Sequence, residues 1–167
     1  MMKNENNNKT TESKTAVFTM GLPGSGKSTV VRKSGLADGA TIIDPDAVKK
    51  SHPNYDPKNC APLHAWSKTV ADAQLAAALA DGTTRLVVDG TGVNAEVMVA
   101  KIRQVQAAGF KAVLLYVQVS LATAIARNAA RERSVPEQVI RDKAEVIATS
   151  FEIVGRYADE VIVIAND

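Results

Sequence analysis

Apolar residues fall along this chain in short β-prone runs that alternate with stretches spaced at threes and fours. The first run, Ala16-Val-Phe-Thr-Met20, is nearly continuous, as expected of a strand buried on both faces. A helix is predicted over 27–34, broken by Gly35 and Gly39. Ala40-Thr-Ile-Ile43 reads as a second strand that ends in Asp44-Pro-Asp46, with a short helix over 46–51. His52-Pro-Asn-Tyr-Asp-Pro57 has the composition of a loop. The Ala-rich stretch 62–80 has helical spacing and stops at Asp81-Gly82. Arg85-Leu-Val-Val-Asp89 is a third strand, 94–108 a helix closed by Gly109, and 111–119 a fourth strand. Helices over 121–133 and 136–157 precede a last strand over 160–164.

Alternation of this kind predicts an α/β fold: a five-stranded parallel sheet flanked by helices. Such sheets bind ligands at the carboxyl ends of their strands. Three polar segments are expected there: the loop after the first strand, Asp44 and Asp46 after the second, and Asp89-Gly-Thr91 after the third. The 167 residues suit one domain over 15–167, preceded by a polar, Asn-rich tail over 1–14. Hydrophobic residues make up 46% and aromatics only 4%, so the core must be aliphatic. A net charge of +2 neither requires nor excludes a nucleic-acid partner. The single cysteine, Cys60, excludes an intramolecular disulfide and suits a reducing cytoplasm. No apolar run approaches a membrane span, and the tail lacks the apolar stretch of a secretory signal.

The loop after the first strand, Gly21-Leu-Pro-Gly-Ser-Gly-Lys-Ser28, fits the phosphate-binding pattern G-x-x-x-x-G-K-[ST] at every fixed position. Its strand–loop–helix context is also the required one. Gly21, Pro23, Gly24, Ser25, Gly26 and Thr29 would wrap the phosphates with backbone N–H groups, at a helix N-terminus whose dipole favours anions. Lys27 would reach the β- and γ-phosphates of ATP and the Ser28 hydroxyl would ligate Mg²⁺.

Beyond the loop, Asp46 stands where a carboxylate can accept the proton of an attacking hydroxyl, while Asp44 suits a helix cap that also faces the acceptor. Lys49 could meet an acceptor phosphate and Tyr55 could line the acceptor pocket. Asp89 sits as a Walker-B acid would, holding a Mg²⁺-bound water or an acceptor hydroxyl, with the Thr91 hydroxyl beside it. The alternative there is a plain strand-to-helix turn. Arg127 and Arg131, four apart, would share a helix face and cover the transferring phosphoryl group as a lid, unless Glu132 and Glu137 simply pair with them in solvent. Trp66 is expected to pack in the core or lid. His52, Cys60 and His64 lack the spacing of a zinc site.

With these residues in place, the chain resembles the small P-loop kinases that include zeta toxins and polynucleotide 5′-kinases, over about residues 16–165. Ile43-Asp-Pro-Asp-Ala-Val-Lys49 with His52-Pro-Asn-Tyr55 is similar to the zeta-toxin segment whose second aspartate is the catalytic base, which implies that role for Asp46. Asp89-Gly-Thr91 is similar to the zeta E-G-T motif that contacts the sugar substrate, with aspartate for glutamate. Arg127-Asn-Ala-Ala-Arg131, then Val135-Pro136, is similar to the lid of phage polynucleotide kinases, which implies a catalytic role for Arg131. Asp46 and Lys49 match that family's D-x-x-R with lysine for arginine. The resemblance implies a P-loop kinase with a short helical lid, using ATP and Mg²⁺ in a bacterial or phage-infected cytoplasm. The expected acceptor is a hydroxyl of DNA or RNA: a polynucleotide 5′-OH or a hydroxymethylated base. A zeta-like kinase of UDP-N-acetylglucosamine is the runner-up, and a non-catalytic ATP-binding regulatory module the third reading. An antitoxin partner belongs to the zeta branch, and no residue here indicates one.

Overall fold

A computed structural model describes residues 13–167. The expected tail therefore lies almost wholly outside the described residues. The elements are β1 (Lys14–Met20), α1 (Lys27–Ser34), β2 (Thr41–Ile43), α2 (Pro45–Lys50), α3 (His64–Ala80), β3 (Arg85–Val88), α4 (Ala95–Ala107), β4 (Phe110–Gln118), α5 (Leu121–Ala129), α6 (Glu137–Gly155) and β5 (Glu160–Ala165). All five strands are parallel, in the order β2-β3-β1-β4-β5. Parallel neighbours need crossovers, and the helices supply them.

The sheet has two unequal apolar faces. Ala16, Phe18, Met20, Leu86, Val88, Leu114 and Tyr116 pack against α3, α4 and α6 through Leu75, Ile102, Val105 and Ile147. The opposite face, with Val17, Val87, Val113, Leu115 and Val117, is closed by Val31 of α1 and by the segment after it. The central strands are buried on both sides, which is why β1 and β4 read as continuous apolar runs. The edge strands differ: Ile42 of β2 and Val163 of β5 are 54% and 47% exposed.

Element ends follow their capping groups. Asn94 accepts from Val97 N at 3.1 Å, so α4 starts one residue after the expected position. A 3₁₀ turn, Ala61–Leu63, replaces the expected first turn of α3. The largest departure is α5, which ends at Ala129 and not at 133. There the Asn128 amide brackets Val135, donating to its carbonyl at 2.8 Å and accepting its N–H at 3.0 Å. That pair pins 130–136 as a loop against the helix end, and helical continuation is no longer possible. Arg127 and Arg131 thus do not share a helix face; Arg131 lies beyond the end of α5.

Ile102 is fully buried between α4 and the sheet. Ile102→Ala should lower unfolding free energy by about 2–5 kcal/mol, the usual range for a core aliphatic truncation. Val163→Thr at the exposed edge should stay within about 0.5 kcal/mol. Urea unfolding of both variants checks the contrast. Equal losses would contradict the burial described for β5.

Candidate functional site

The carboxyl ends of β1, β2 and β3 meet the loop after α5 around one cavity of about 520 Å³. Its wall toward β1 is the loop 21–28. Gly24 there has φ +84°, and a Cβ on it would stand 2.4 Å from the Ala124 carbonyl oxygen of α5. Only glycine brings the loop this close to the helix. Pro23, Gly24, Gly26, Lys27, Ser28 and Thr29 line the cavity. Gly21 and Ser25 do not; they shape the loop from behind. The Gly21 and Leu22 carbonyls accept from Lys27 Nζ at 2.8 and 3.1 Å. The Ser25 carbonyl accepts from Arg127 at 3.4 Å and from Asn166 at 2.8 Å.

Lys27 is half-buried, and among the described residues no carboxylate lies within ion-pair distance of it. Burial pushes its ammonium down to about 8, against the pull of Asp89 and with a further push from Arg131. A cation held only by carbonyls fits an anionic ligand. The oxygen donors nearby, Ser28 Oγ and the Asp89 carboxylate, both line the cavity and suit Mg²⁺, a hard cation that takes oxygen ligands.

Asp89 follows β3 directly. Thr19 of β1, fully buried, donates its hydroxyl to Asp89 Oδ1 at 2.5 Å and accepts the Gly90 N–H at 3.0 Å. The Gly21 N–H reaches the Thr91 carbonyl at 3.0 Å. Gly92, with φ +76°, has no room for a Cβ: it would lie 2.7 Å from Met20 Cε. The segment 89–92 is therefore tied to β1 at several points, and Asp89 and Thr91 both face the cavity.

Asp44 caps α2, accepting Asp46 N at 2.8 Å. It also lines the cavity, where burial and the nearby Asp89 raise its pKa. Asp46 is held from two sides: Arg133 donates to Oδ2 at 2.8 Å, and Lys49 approaches Oδ1 at 3.4 Å. Burial pushes the Asp46 carboxyl up, but these two cations outweigh it and hold it below the usual carboxylate value.

Most sequence-selected residues converge here, including Arg127, Arg131 and Lys49. Tyr55 does not line the cavity; its neighbours are Cys60 and Arg133, and burial raises its pKa. Trp66 is 39% exposed and stacks edge-on with His52 at 4.8 Å, so it is not a core residue. Glu137 pairs with Arg141 rather than with the lid arginines. Sequence reasoning missed Arg133, Lys143 and His64 as lining residues, Thr19 as the support of Asp89, and Asn166 as a support of the phosphate loop at Ser25. The position of Arg133 in a polar stretch just before Val135-Pro136 was the available signal for it; the others show none.

The family model described as AAA domain matches residues 17–152. The chain belongs to this AAA-domain family. The match takes in the phosphate loop, both aspartate segments and the lid, and stops before β5. No curated protein matches the sequence. Among solved structures, that of the PezAT chromosomal toxin–antitoxin system of Streptococcus pneumoniae is similar, with a TM-score of 0.73 at 15% identity over 93% of this chain and 69% of that one. The AvrRxo1-ORF1:AvrRxo1-ORF2 complex with sulphate ions gives 0.71 at 15% identity over 90% of this chain, which spans only 55% of that one. Shikimate kinase from Acinetobacter baumannii, in complex with shikimate, gives 0.59 at 17% identity over 90% and 84%. At these identities the likeness is one of fold, and the fold is the P-loop kinase type. No helix among the described residues is long and apolar enough to cross a membrane.

An anion seated against Lys27 favours the charged ammonium. Its complex then keeps a proton that the free site loses as pH rises through about 8. Affinity for a triphosphate should therefore fall above about pH 8. Calorimetry in buffers of different ionisation enthalpy should register proton uptake on binding there. Absence of uptake would mean that Lys27 stays charged in the free site.

Proposed function

We propose that the protein is an ATP-dependent kinase that transfers the γ-phosphate to a hydroxyl of a nucleic acid or nucleotide-type acceptor. The observation that carries this reading is the shared cavity. Lys27 and the glycine loop form one wall, and the Asp46 carboxylate faces the same space. A module that only bound nucleotide would have no use for an oriented carboxylate opposite the phosphate loop.

In this reading Lys27 and the loop amides would hold the phosphates, and Ser28 and Asp89 would hold Mg²⁺, which would supply charge neutralisation to the β- and γ-phosphates. Asp46, ionised because Arg133 and Lys49 flank it, accepts a hydrogen bond from the acceptor hydroxyl and aims it in line. Phosphoryl transfer has a loose transition state, so positioning counts for more than a strong base. A carboxylate with a depressed pKa is adequate for that task. Arg131, exposed on the loop and within electrostatic reach of Lys27, covers the transferring group together with Arg127. Asp44, Asp89 and Thr91 offer polar groups to the acceptor. Their presence in the same cavity favours the second reading, a UDP-sugar acceptor, whose ring hydroxyls would pair with them.

The decisive assay supplies γ-labelled ATP with 5′-hydroxyl oligonucleotides, hydroxymethyl-base DNA and UDP-sugars in turn. Label on a nucleic acid, with a Michaelis constant rising steeply with salt, supports the first acceptor. Label only on UDP-sugars replaces it with the second. Lys27→Ala should abolish transfer with the far-UV circular dichroism unchanged. Asp46→Asn, which leaves the Asp44 cap of α2 in place, should bind ATP and turn over about 10²–10⁴-fold more slowly. Normal turnover by Asp46→Asn would remove it from the chemistry.

Arg133→Gln gives a separate check. Asp46 is faced by Lys49 and Asp44 from its own segment, and by His64, Arg133, Lys143 and Lys27. Removing the guanidinium should move the acid limb of kcat/KM to higher pH. An unmoved limb would assign it to another group.

A further inference from the structure

The Ser25–Gly26 peptide lies between two fixed neighbours. Before it, the Ser25 N–H donates to the Leu22 carbonyl at 3.0 Å. After it, the Gly26 carbonyl accepts from Val30 N at 3.0 Å, in the first turn of α1. The plane between them turns about Ser25 ψ and Gly26 φ. Gly26 has φ +86°, and glycine takes positive and negative φ at similar cost, so local structure permits both orientations of this plane. Its carbonyl decides between them. The Ser25 carbonyl accepts from Asn166 Nδ2 at 2.8 Å and from Arg127 at 3.4 Å. In a trans peptide the C=O and N–H point in opposite directions, so holding the carbonyl also aims the Gly26 N–H. Gly26 lines the cavity, Ser25 is fully buried behind it, and among the described residues the Gly26 N–H has no hydrogen-bond partner. Of the two donors, Arg127 is at the long limit of a hydrogen bond and itself lines the cavity from α5. Asn166 is the fixed one. Its N–H donates to the Gln118 carbonyl at 2.8 Å, which carries the β4–β5 ladder one residue further. The next residue, Asp167, accepts Ser120 N at the start of α5, also at 2.8 Å. A Cβ on Gly26 would stand 2.6 Å from Asn166 Nδ2, so the amide rests directly on the glycine.

We propose that Asn166 is a positioning residue for the donor phosphates: its amide locks the Ser25–Gly26 peptide with the Gly26 N–H turned toward the anion. The inference rests on reading 21–28 as a phosphate loop and not on any choice of acceptor. With this plane flipped, the Ser25 carbonyl oxygen would face the phosphate where the N–H should be, and an attraction would become a repulsion. The phosphate-binding pattern therefore supplies a glycine that can present its N–H, while the side chain that sets its direction lies 141 residues further along, at the end of the edge strand β5. Arg127 is left able to follow the transferring phosphoryl group, because Asn166 alone can keep the carbonyl in place.

Inorganic tripolyphosphate reads the loop without a base and without an acceptor. Titration calorimetry of the full chain compares the unaltered protein with Asn166→Ala and Asn166→Asp. The first removes the donor and adds no charge. The second keeps the shape and sets an oxygen against the Ser25 carbonyl. Both should weaken tripolyphosphate and ATP by about tenfold or more, the worth of one hydrogen bond to a charged group, with the far-UV circular dichroism unchanged. The Gly26 amide resonance supplies a signature that lost stability alone would not move. At saturating tripolyphosphate it should shift downfield in the unaltered protein and stay in place in both variants. In turnover, the KM for ATP should rise by a similar factor while the acceptor KM is unchanged. Unaltered affinity in both variants, with a Gly26 amide that still responds, overturns the inference and leaves the loop reading standing. A loss for ATP with none for tripolyphosphate assigns Asn166 to the nucleoside and also overturns it. Tripolyphosphate binding that is absent from the unaltered protein, or indifferent to Lys27→Ala, overturns the loop reading itself.

Discussion

The register between β1 and β3 is the constraint on which the site depends. Both strands are buried on both faces, so a slip of one residue would turn every side chain to the wrong layer. Polar bonds at the carboxyl ends make the same register exact for function. Thr19 grips Asp89 and Gly90, and the Gly21 N–H grips Thr91. The phosphate loop and the 89–91 segment are thereby joined as one rigid edge. Asp89 N reaches the Ile43 carbonyl at 2.9 Å, which ties the end of β2, and with it Asp44 and Asp46, to the same edge.

Charge is the second organising feature. Six cations and three carboxylates line a single cavity, and most of the cations are held by partners too few to neutralise them. Lys27 has only carbonyls. Lys49 and Arg133 divide one carboxylate between them. The excess of cations over carboxylates gives the cavity a positive field that favours anionic ligands.

The lid shows how one neutral side chain controls a charged one. Asn128 is buried at the end of α5, and its amide closes a seven-residue loop on Val135. The loop path that results brings Arg133 inward to Asp46 and leaves Arg131 exposed over the phosphate loop. Had α5 run on to 133, Arg127 and Arg131 would have lain side by side and Arg133 would have pointed elsewhere.

Sequence alone determined the alternation of elements, the parallel sheet, the phosphate loop and the two aspartate segments at its carboxyl edge. These are local properties: two-sided burial writes continuous apolar runs, and a glycine-rich loop between strand and helix has one main use. Asp46, Asp89 and Thr91 were legible because strand ends converge by topology, whatever the side chains do. What only the tertiary structure decided is which cations meet Asp46. Arg133 bonds it, and Lys143 acts on it electrostatically from beyond ion-pair distance; both come from elements far along the chain, through a helix stop set by the Asn128–Val135 bonds and through the packing of α6. Tyr55 falls outside the cavity and Trp66 outside the core for the same reason, since where such a side chain lies depends on contacts made by other segments. Side-chain meeting across more than eighty residues leaves no periodicity to read, because it is decided by packing and not by local propensity.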